Sequence, residues 1–241
     1  MVRVACLQPE VFQENNKCYS EIEKIIKDFY SKYDSCDIIC LPERWVPLTN
    51  GKKLDIQTER GKNYQFIKNL AKEYSIGIIS GAIWENRLDS IKPRITSYFF
   101  DNFGEEIGRQ DKIHLYSYER KNFEPGEELR LFSFKNICFA ILICFDMAFF
   151  ETPRLAAENG AEILFSPTQI SVEGMENWEI YLKARALENR IPVVACNTFG
   201  KLLKSNFPGH SKIISFVKDF ISPSKLRIVE GPFDSSGFAF D

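Results

Sequence analysis

The feature that most restricts this chain is a repeated alternation between short apolar runs and segments with helical spacing. Val2–Leu7 is an apolar run of strand length, and Glu14–Tyr33 follows with Ile22, Ile25, Ile26 and Phe29 on one helical face. Cys36–Leu41 is a second apolar run, stopped by Pro42, and Gly61–Tyr74 a second amphipathic segment, with Phe66, Ile67 and Leu70 in phase. Ser75–Trp84 reads as one buried strand. Ile95–Phe100 and Glu106–Arg109 flank a turn at Asp101–Gly104, and Phe132–Phe134 and Cys138–Ile143 pair around Lys135–Asn136.

The alternation then resumes. Glu151–Asn159 is a helix that Gly160 can close, Ala161–Phe165 a strand, Glu176–Asn189 a helix and Ile191–Cys196 a strand. Ile213–Val217 and Leu226–Val229 form a last strand pair. The apolar runs are continuous rather than alternating, as in strands covered on both faces. The pattern therefore predicts a layered α/β sandwich, with helices on the outer faces of its sheets. With no internal repeat and no Pro/Gly/Ser-rich linker, residues 1–241 are expected to form one domain.

Composition excludes several classes. Hydrophobic residues make up 44% and charged residues 27%, close to the globular average and far from a disordered chain. A net charge of −2 supplies no basic field for nucleic acid. No run approaches the ~18–20 apolar residues of a membrane span. The N-terminal MVRVACLQPE lacks the pattern of a secretion signal. Seven cysteines, an odd number in a chain of this size, read as reduced thiols. A cytoplasmic protein without nucleic-acid or membrane partners is expected.

Cofactor signatures are absent: there is no glycine-rich dinucleotide or phosphate loop, and the two histidines, His114 and His210, stand in no zinc-like spacing. No cofactor and no metal are expected, and a plain cofactor-binding α/β domain is disfavoured. Cys36 and Cys40 share a face at strand spacing and read as packed thiols, as do Cys6, Cys138 and Cys196.

Cys144 differs from the others. It ends the run Ile137–Ile143 and precedes a helical segment, where backbone N–H groups favour a thiolate or hold an oxyanion. From position alone it is either a nucleophile or a core thiol. Glu43, just past a strand among Pro42 and Trp45, is either a base or a surface carboxylate paired with Arg44. Lys112 taken alone is an ordinary surface lysine.

Taken together, Leu41-Pro42-Glu43, Lys112-Ile113-His114-Leu115 with Glu119, Phe123 and Gly126, and Ile143-Cys144-Phe145-Asp146 resemble the nitrilase superfamily of carbon–nitrogen hydrolases. Trp178-Glu179, Arg185-Ala186, Glu188-Asn189, Asn197, Gly160-Ala161 and Pro167 extend the likeness, which runs from about Val2 to Ser215. The resemblance implies a four-layer α-β-β-α sandwich, a metal-free Glu–Lys–Cys triad and a homodimer or higher homo-oligomer. Carried over, it makes Cys144 the nucleophile, Glu43 the general base, Lys112 the electrostatic stabiliser and Glu119 the additional glutamate that holds the triad. Lys112 and the backbone N–H of Phe145 would receive the oxyanion, in a reaction that passes through a thioester and releases ammonia or an amine. Neither Cys144 nor Lys112 is expected to be a major core residue, so alanine at either position should abolish turnover and leave the fold intact.

Two departures narrow the expectation. Phe145-Asp146 stands where true nitrilases carry Trp-Glu, which resembles the amidase-type branches and favours a small linear amide over a nitrile. Ala148 occupies a position where many amidases and carbamoylases have Arg, so carboxylated and N-carbamoyl substrates are disfavoured. Phe145, Met147, Phe149 and Phe150 then suggest an apolar pocket, or core packing. A non-catalytic binding relative is the alternative from another class. The loops Val46–Thr58 and Ser171–Asn177 are expected to shape the pocket. Phe233, Phe238 and Phe240 near the C-terminus are either an exposed liability or a covered interface.

Overall fold

The computed structural model describes residues 2–12, 15–46, 56–219, 222 and 224–241. In chain order the elements are β1 (Val4–Gln8), α1 (Asn15–Tyr30), β2 (Ile38–Cys40), β3 (Gln57–Thr58), α2 (Lys62–Tyr74), β4 (Gly77–Ile79), β5 (Ile83–Asn86), β6 (Arg94–Phe100) and β7 (Glu106–Asp111). A short α3 (Glu119–Asn122) leads to β8 (Leu131–Phe134), β9 (Ile137–Ile141), α4 (Glu151–Glu158), β10 (Ile163–Pro167), α5 (Met175–Asn189) and β11 (Val193–Cys196). The chain then runs through β12 (Phe199–Leu202), β13 (Ser205–Pro208), β14 (Lys212–Phe216), β15 (Leu226–Glu230) and β16 (Gly237–Phe240). Single 3₁₀ turns occupy Cys144–Ala148 and Val172–Gly174.

Two sheets result. The first has the order β16-β1-β2-β4-β6-β5-β3, with β7 also on β6. The second has the order β15-β14-β11-β10-β9-β8, and β12–β13 is a separate hairpin. Parallel pairings β1–β2–β4 and β9–β10–β11 are the ones linked by helical crossovers, as parallel strands require.

The period of two along each strand builds the layers. Ala5, Leu7 and Ile39 pack with Ile22, Ile25, Ile26 and Phe29 of α1 and with Ile67 and Leu70 of α2. Their neighbours Val4, Cys6, Ile38 and Cys40 face the other way and meet Phe139, Ile141, Phe165, Val194, Cys196 and Ile213 of the second sheet. Ala140, Leu142, Leu164, Val193 and Ala195 in turn pack with Ala156 of α4 and with Trp178, Leu182 and Ala186 of α5. Three apolar interfaces separate four layers, giving an α-β-β-α sandwich. The continuous apolar runs follow directly, because a strand with helices on one side and a sheet on the other has no polar face.

Several boundaries differ from the sequence reading. Ser75–Trp84 is two strands, not one. Gly81 breaks it with φ +69°, and a Cβ there would lie 2.1 Å from the Pro42 carbonyl oxygen. The Trp45 indole N–H donates to the Ser80 carbonyl at 2.7 Å, and the Ala82 N–H to the Glu43 carbonyl at 3.2 Å. The break thus docks the Pro42–Trp45 segment. Helix α1 ends at Tyr30, short of Tyr33, and Glu14 lies outside the described residues. Cys36 precedes β2 and packs in the outer helical layer, whereas Cys40 faces the inter-sheet layer, so the two share no face. Cys138 is only partly buried. The C-terminal segment is an unforeseen edge strand: β16 runs antiparallel to β1, and Phe238 and Phe240 contact Phe29 of α1 and Tyr33 just beyond it. Phe233 remains exposed beside His210.

Candidate active site

The carboxyl ends of β2, β7, β9, β10 and β11 gather at one end of the sandwich, as ligand-facing loops do in layered α/β folds. Glu43 follows β2. Its backbone is fixed on both sides: its N–H donates to the Thr168 carbonyl at 3.1 Å, and its carbonyl accepts from Ala82. Lys112 follows β7, with its N–H on the Ile95 carbonyl at 2.8 Å and its carbonyl accepting from Gly126 at 2.8 Å. Glu119 opens α3, and its Oε2 accepts the Tyr116 N–H at 2.7 Å.

These three side chains meet. The Lys112 ammonium lies 2.6 Å from Glu43 Oε1 and 2.8 Å from Glu119 Oε2. Lys112 is 1% exposed, so the expectation that it contributes little to the core is corrected: its long stem is buried and its charge is held by two buried carboxylates. Glu43 is likewise buried rather than paired at the surface with Arg44, whose guanidinium stacks 4.0 Å over the Trp84 ring.

Cys144 begins the 3₁₀ turn after β9 with φ +48°, a left-handed conformation unusual for a side chain with a Cβ. The thiol is partly buried. The charges of Glu43 and Lys112 act on its sulfur, as does the backbone N–H of Gln169, and all four residues line one cavity. The structure therefore brings together Glu43, Lys112, Glu119 and Cys144, with two strands of the first sheet and one of the second contributing.

The turn is secured by side chains to which the sequence reading gave no role. Asp146 is fully buried; its Oδ2 accepts the Ile143 N–H at 2.9 Å and its Oδ1 the His114 N–H at 2.7 Å. Arg185 of α5 donates through Nε to the Met147 carbonyl and through Nη2 to the Ala148 carbonyl, both at 3.1 Å. Asn197, past β11, grips Ile170 from both sides, accepting its N–H at 2.8 Å and donating to its carbonyl at 3.1 Å. The family likeness already included Asp146, Arg185 and Asn197 without giving them a role; residue type supplies the reason, because an acid, an arginine and an asparagine inside apolar surroundings must find partners.

A cavity of about 430 Å³ opens onto Cys144, Glu43, Lys112 and Glu119. Phe145 and Ala148 line it, as does Met147. Phe149 instead stacks on His114 with ring centroids 4.1 Å apart, and Phe150 is 58% exposed, so neither lines this cavity, the first of the two places that the sequence left open to them. The aromatic and hydroxyl groups of Tyr116, Tyr118 and Tyr181 give the wall a polar component that apolar spacing did not announce. Ser171, Gly174 and Asn177 of the expected pocket loop also line it, whereas residues 47–55 of the other expected loop lie outside the described residues.

Electrostatics follow from burial. Desolvation and the negative Glu43 raise the Cys144 thiol well above its ordinary range, outweighing the Lys112 ammonium and the Gln169 N–H. The expectation that this turn favours a thiolate is corrected accordingly: the resting sulfur carries its proton. Burial also opposes the Lys112 charge, but Glu43, Cys144 and Glu119 together hold its pKa well above that of an ordinary lysine. Burial, and then the neighbouring Glu43, raise Glu119, with Lys112 opposing. The site is a permanent ammonium between two carboxylates, beside a neutral thiol.

Comparison with known proteins places this arrangement in context. The family model described as carbon–nitrogen hydrolase matches residues 3–222. A probable nitrilase of Schizosaccharomyces pombe is 37% identical over 155 residues, covering 64% of this chain and 57% of that protein. A 2-oxoglutaramate amidase of Bacillus subtilis is 30% identical over 217 residues, covering 88% of this chain and 82% of that one. The crystal structure of Saccharomyces cerevisiae Nit3, a nitrilase-superfamily member, superposes with a TM-score of 0.86 at 22% identity, covering 100% of this chain and 89% of that one, a likeness of fold.

Proposed function

This chain belongs to the carbon–nitrogen hydrolase family, and from that premise we propose that it hydrolyses small, uncharged linear amides through a thioester on Cys144. The observation that carries the proposal is the Lys112 ammonium, clamped between Glu43 and Glu119 at the floor of a cavity that also exposes Cys144.

The steps follow from the electrostatics. Because the resting thiol is neutral, sulfur attacks the amide carbon as Glu43 takes its proton. The carbonyl oxygen becomes an oxyanion, received by Lys112 and the backbone N–H of Phe145. Lys112 keeps its charge throughout, so it acts by field rather than as a proton donor. Glu43 passes the proton to the departing nitrogen, the C–N bond breaks and ammonia or an amine leaves. Water, deprotonated by Glu43, then attacks the thioester; the carboxylic acid departs and the thiol regains its proton. Glu119 holds Lys112 in place from the side away from Glu43.

Charge selects the substrate. Among the described residues lining the cavity Lys112 is the only cation, and two carboxylates already engage it. Ala148 offers no guanidinium for a substrate carboxylate, which sets this pocket apart from the carboxylated amide for which the Bacillus relative is named.

The reading includes a homodimer or higher assembly in the cytoplasm. Phe150 and Leu155 beside and on α4, and Ile180 and Leu187 on α5, are exposed apolar side chains on neighbouring helices. None of the described helices is long and apolar enough to cross a membrane. Light scattering of the purified protein tests the assembly. The activity is tested by ammonia release across an amide, carbamoyl and nitrile library, with mass spectrometry of the trapped acyl adduct. An adduct on Cys144 from a neutral amide is expected. A protein that releases no ammonia from any of them, with Cys144 no more readily alkylated than the other thiols, would be a binding relative instead.

A further inference from the structure

A second cavity, of about 570 Å³, lies beside the catalytic one and shares only Phe145 with it. It opens between the segment after β7, α3 with the chain just beyond it, the β5–β6 connection and the 3₁₀ turn of Cys144. Its volume is that of a small-molecule site, ~300–1,000 Å³. Phe145 follows the nucleophile in sequence, so an occupant would pack against the catalytic turn from outside the catalytic cavity.

The lining combines two chemistries. Ile113, Leu115, Phe123, Phe145 and Phe149 form an apolar wall. Phe145 meets Phe149 edge-on at 5.1 Å, and Phe149 lies flat on His114, so the wall presents fixed aromatic faces and edges. Two cations, Lys92 and Arg120, and one acid, Glu124, stand beside it. Glu124 is already engaged. Its Oε2 accepts the N–H groups of Ile91 at 3.0 Å and Lys92 at 3.2 Å, and its Oε1 accepts from Arg94 at 3.3 Å. Neither Lys92 nor Arg120 has a carboxylate partner among the described residues. Arg120 is oriented by one bond, from Nε to the Leu115 carbonyl at 3.0 Å, which leaves its two terminal nitrogens for a ligand.

Both cations are exposed, and an exposed ion pair by itself contributes little. A small anion would therefore be held weakly, and it would leave the phenylalanine wall wet. A neutral aromatic molecule would cover the wall but leave the cations without a partner. From this combination we propose that the cavity binds an arylalkanoate, its ring against the phenylalanine wall and its carboxylate on Lys92 and Arg120. A guanidinium with both terminal nitrogens free matches a carboxylate in a bidentate geometry, and aromatic pairs add attraction beyond area burial. The site goes beyond the amidase reading and does not depend on it. It also sorts by charge in the opposite sense, taking the carboxylate that the catalytic cavity disfavours.

The experiment is titration calorimetry of the purified protein with 4-phenylbutyrate, set against 4-phenylbutan-1-ol, which keeps the ring and lacks the charge, and acetate, which keeps the charge and lacks the ring. The acid is expected to bind one per chain and roughly 5-fold or more tighter than either control. Its affinity should fall as ionic strength rises, because the cations are exposed. In Lys92→Gln/Arg120→Gln the acid and the alcohol are expected to bind alike. Protein alkylated at Cys144 should bind the acid as the unmodified protein does. No saturable binding of 4-phenylbutyrate would overturn the proposal, as would an alcohol that binds as tightly as the acid. So would an acid preference that persists in the double variant, or binding lost on alkylation, which would put the carboxylate in the catalytic cavity with Lys112. Should the double variant fail to fold, Lys92→Gln and Arg120→Gln made singly are each expected to narrow the preference, and a preference unchanged in both would refute the site. Calorimetry reads binding without turnover, so a failure of the amidase reading and a failure of this one are separate results.

Discussion

Asp146 ties the Cys144 turn to the segment that follows Lys112. One of its carboxylate oxygens accepts the His114 N–H at 2.7 Å and lies 3.0 Å from the His114 ring Nδ1, while the other accepts the Ile143 N–H at 2.9 Å. A buried acid with three such contacts acts as a rivet between the two sheets.

Removing that rivet should loosen the site before the fold is lost. Hydrogen bonds to a charged group are worth roughly 1.5–3 kcal/mol each. Asp146→Ala is expected to lower stability by about 3 kcal/mol or more and to reduce kcat more than it raises KM. Urea unfolding and steady-state kinetics on the same preparation measure both. A stable variant with wild-type kcat would show that the turn holds itself.

Glu43→Gln keeps the shape of the site but cannot accept the thiol proton. A drop in kcat of roughly 10²–10⁴ is expected. Because burial and Glu43 raise the Cys144 thiol well above the ordinary range, alkylation of Cys144 should keep accelerating as pH rises past the range where a free thiol is fully ionised. Mass-spectrometric alkylation rates against pH test this. A plateau near the ordinary thiol pKa would mean that the sulfur is not perturbed.

Lys112→Ala leaves Glu43 and Glu119 facing one another with no cation between them. Breaking a buried ion pair in this way costs about 3–5 kcal/mol. Glu119, which burial and Glu43 raise and Lys112 opposes, should then titrate further above its unfolded value. A raised folded-state pKa means that the native state binds the extra proton, so stability of the variant should increase as pH falls below neutrality and be lost as pH rises. Melting temperatures across pH 5 to 8 provide the check; a variant that melts lower at pH 5 than at pH 8 would contradict the clamp.

Ala148→Arg should supply the missing guanidinium at the cavity wall. A charged hydrogen bond worth roughly 1.5–3 kcal/mol corresponds to about 10- to 100-fold. The ratio of kcat/KM for succinamate over a neutral amide of similar size is expected to rise by that factor. An unchanged ratio would place residue 148 outside the substrate's reach.

The layered architecture was legible in the sequence because its cause is local. Val4 through Leu7, Ile38 through Leu41 and Phe139 through Ile143 are apolar at every position, since each strand is covered on both faces. Helix faces such as Ile22, Ile25, Ile26 and Phe29 announce themselves by spacing for the same reason. Motif likeness singled out Glu43, Lys112, Glu119 and Cys144 together, although alone Lys112 read as ordinary and Glu43 and Cys144 each left two readings open.

What the sequence could not carry depends on contacts between distant segments. The break at Gly81 exists because the Pro42 carbonyl occupies the space a Cβ would need, and nothing in Ser75–Trp84 states that. The pairing of Gly237–Phe240 with Val4–Gln8 joins opposite ends of the chain. The direction of the Cys144 shift was misjudged from the turn alone, because it is set by burial and by a carboxylate that lies 101 positions earlier and reaches the sulfur only in the folded state. Local pattern fixes which face of an element is apolar; charge and solvent exclusion are properties of a place in space, and only the tertiary structure creates that place.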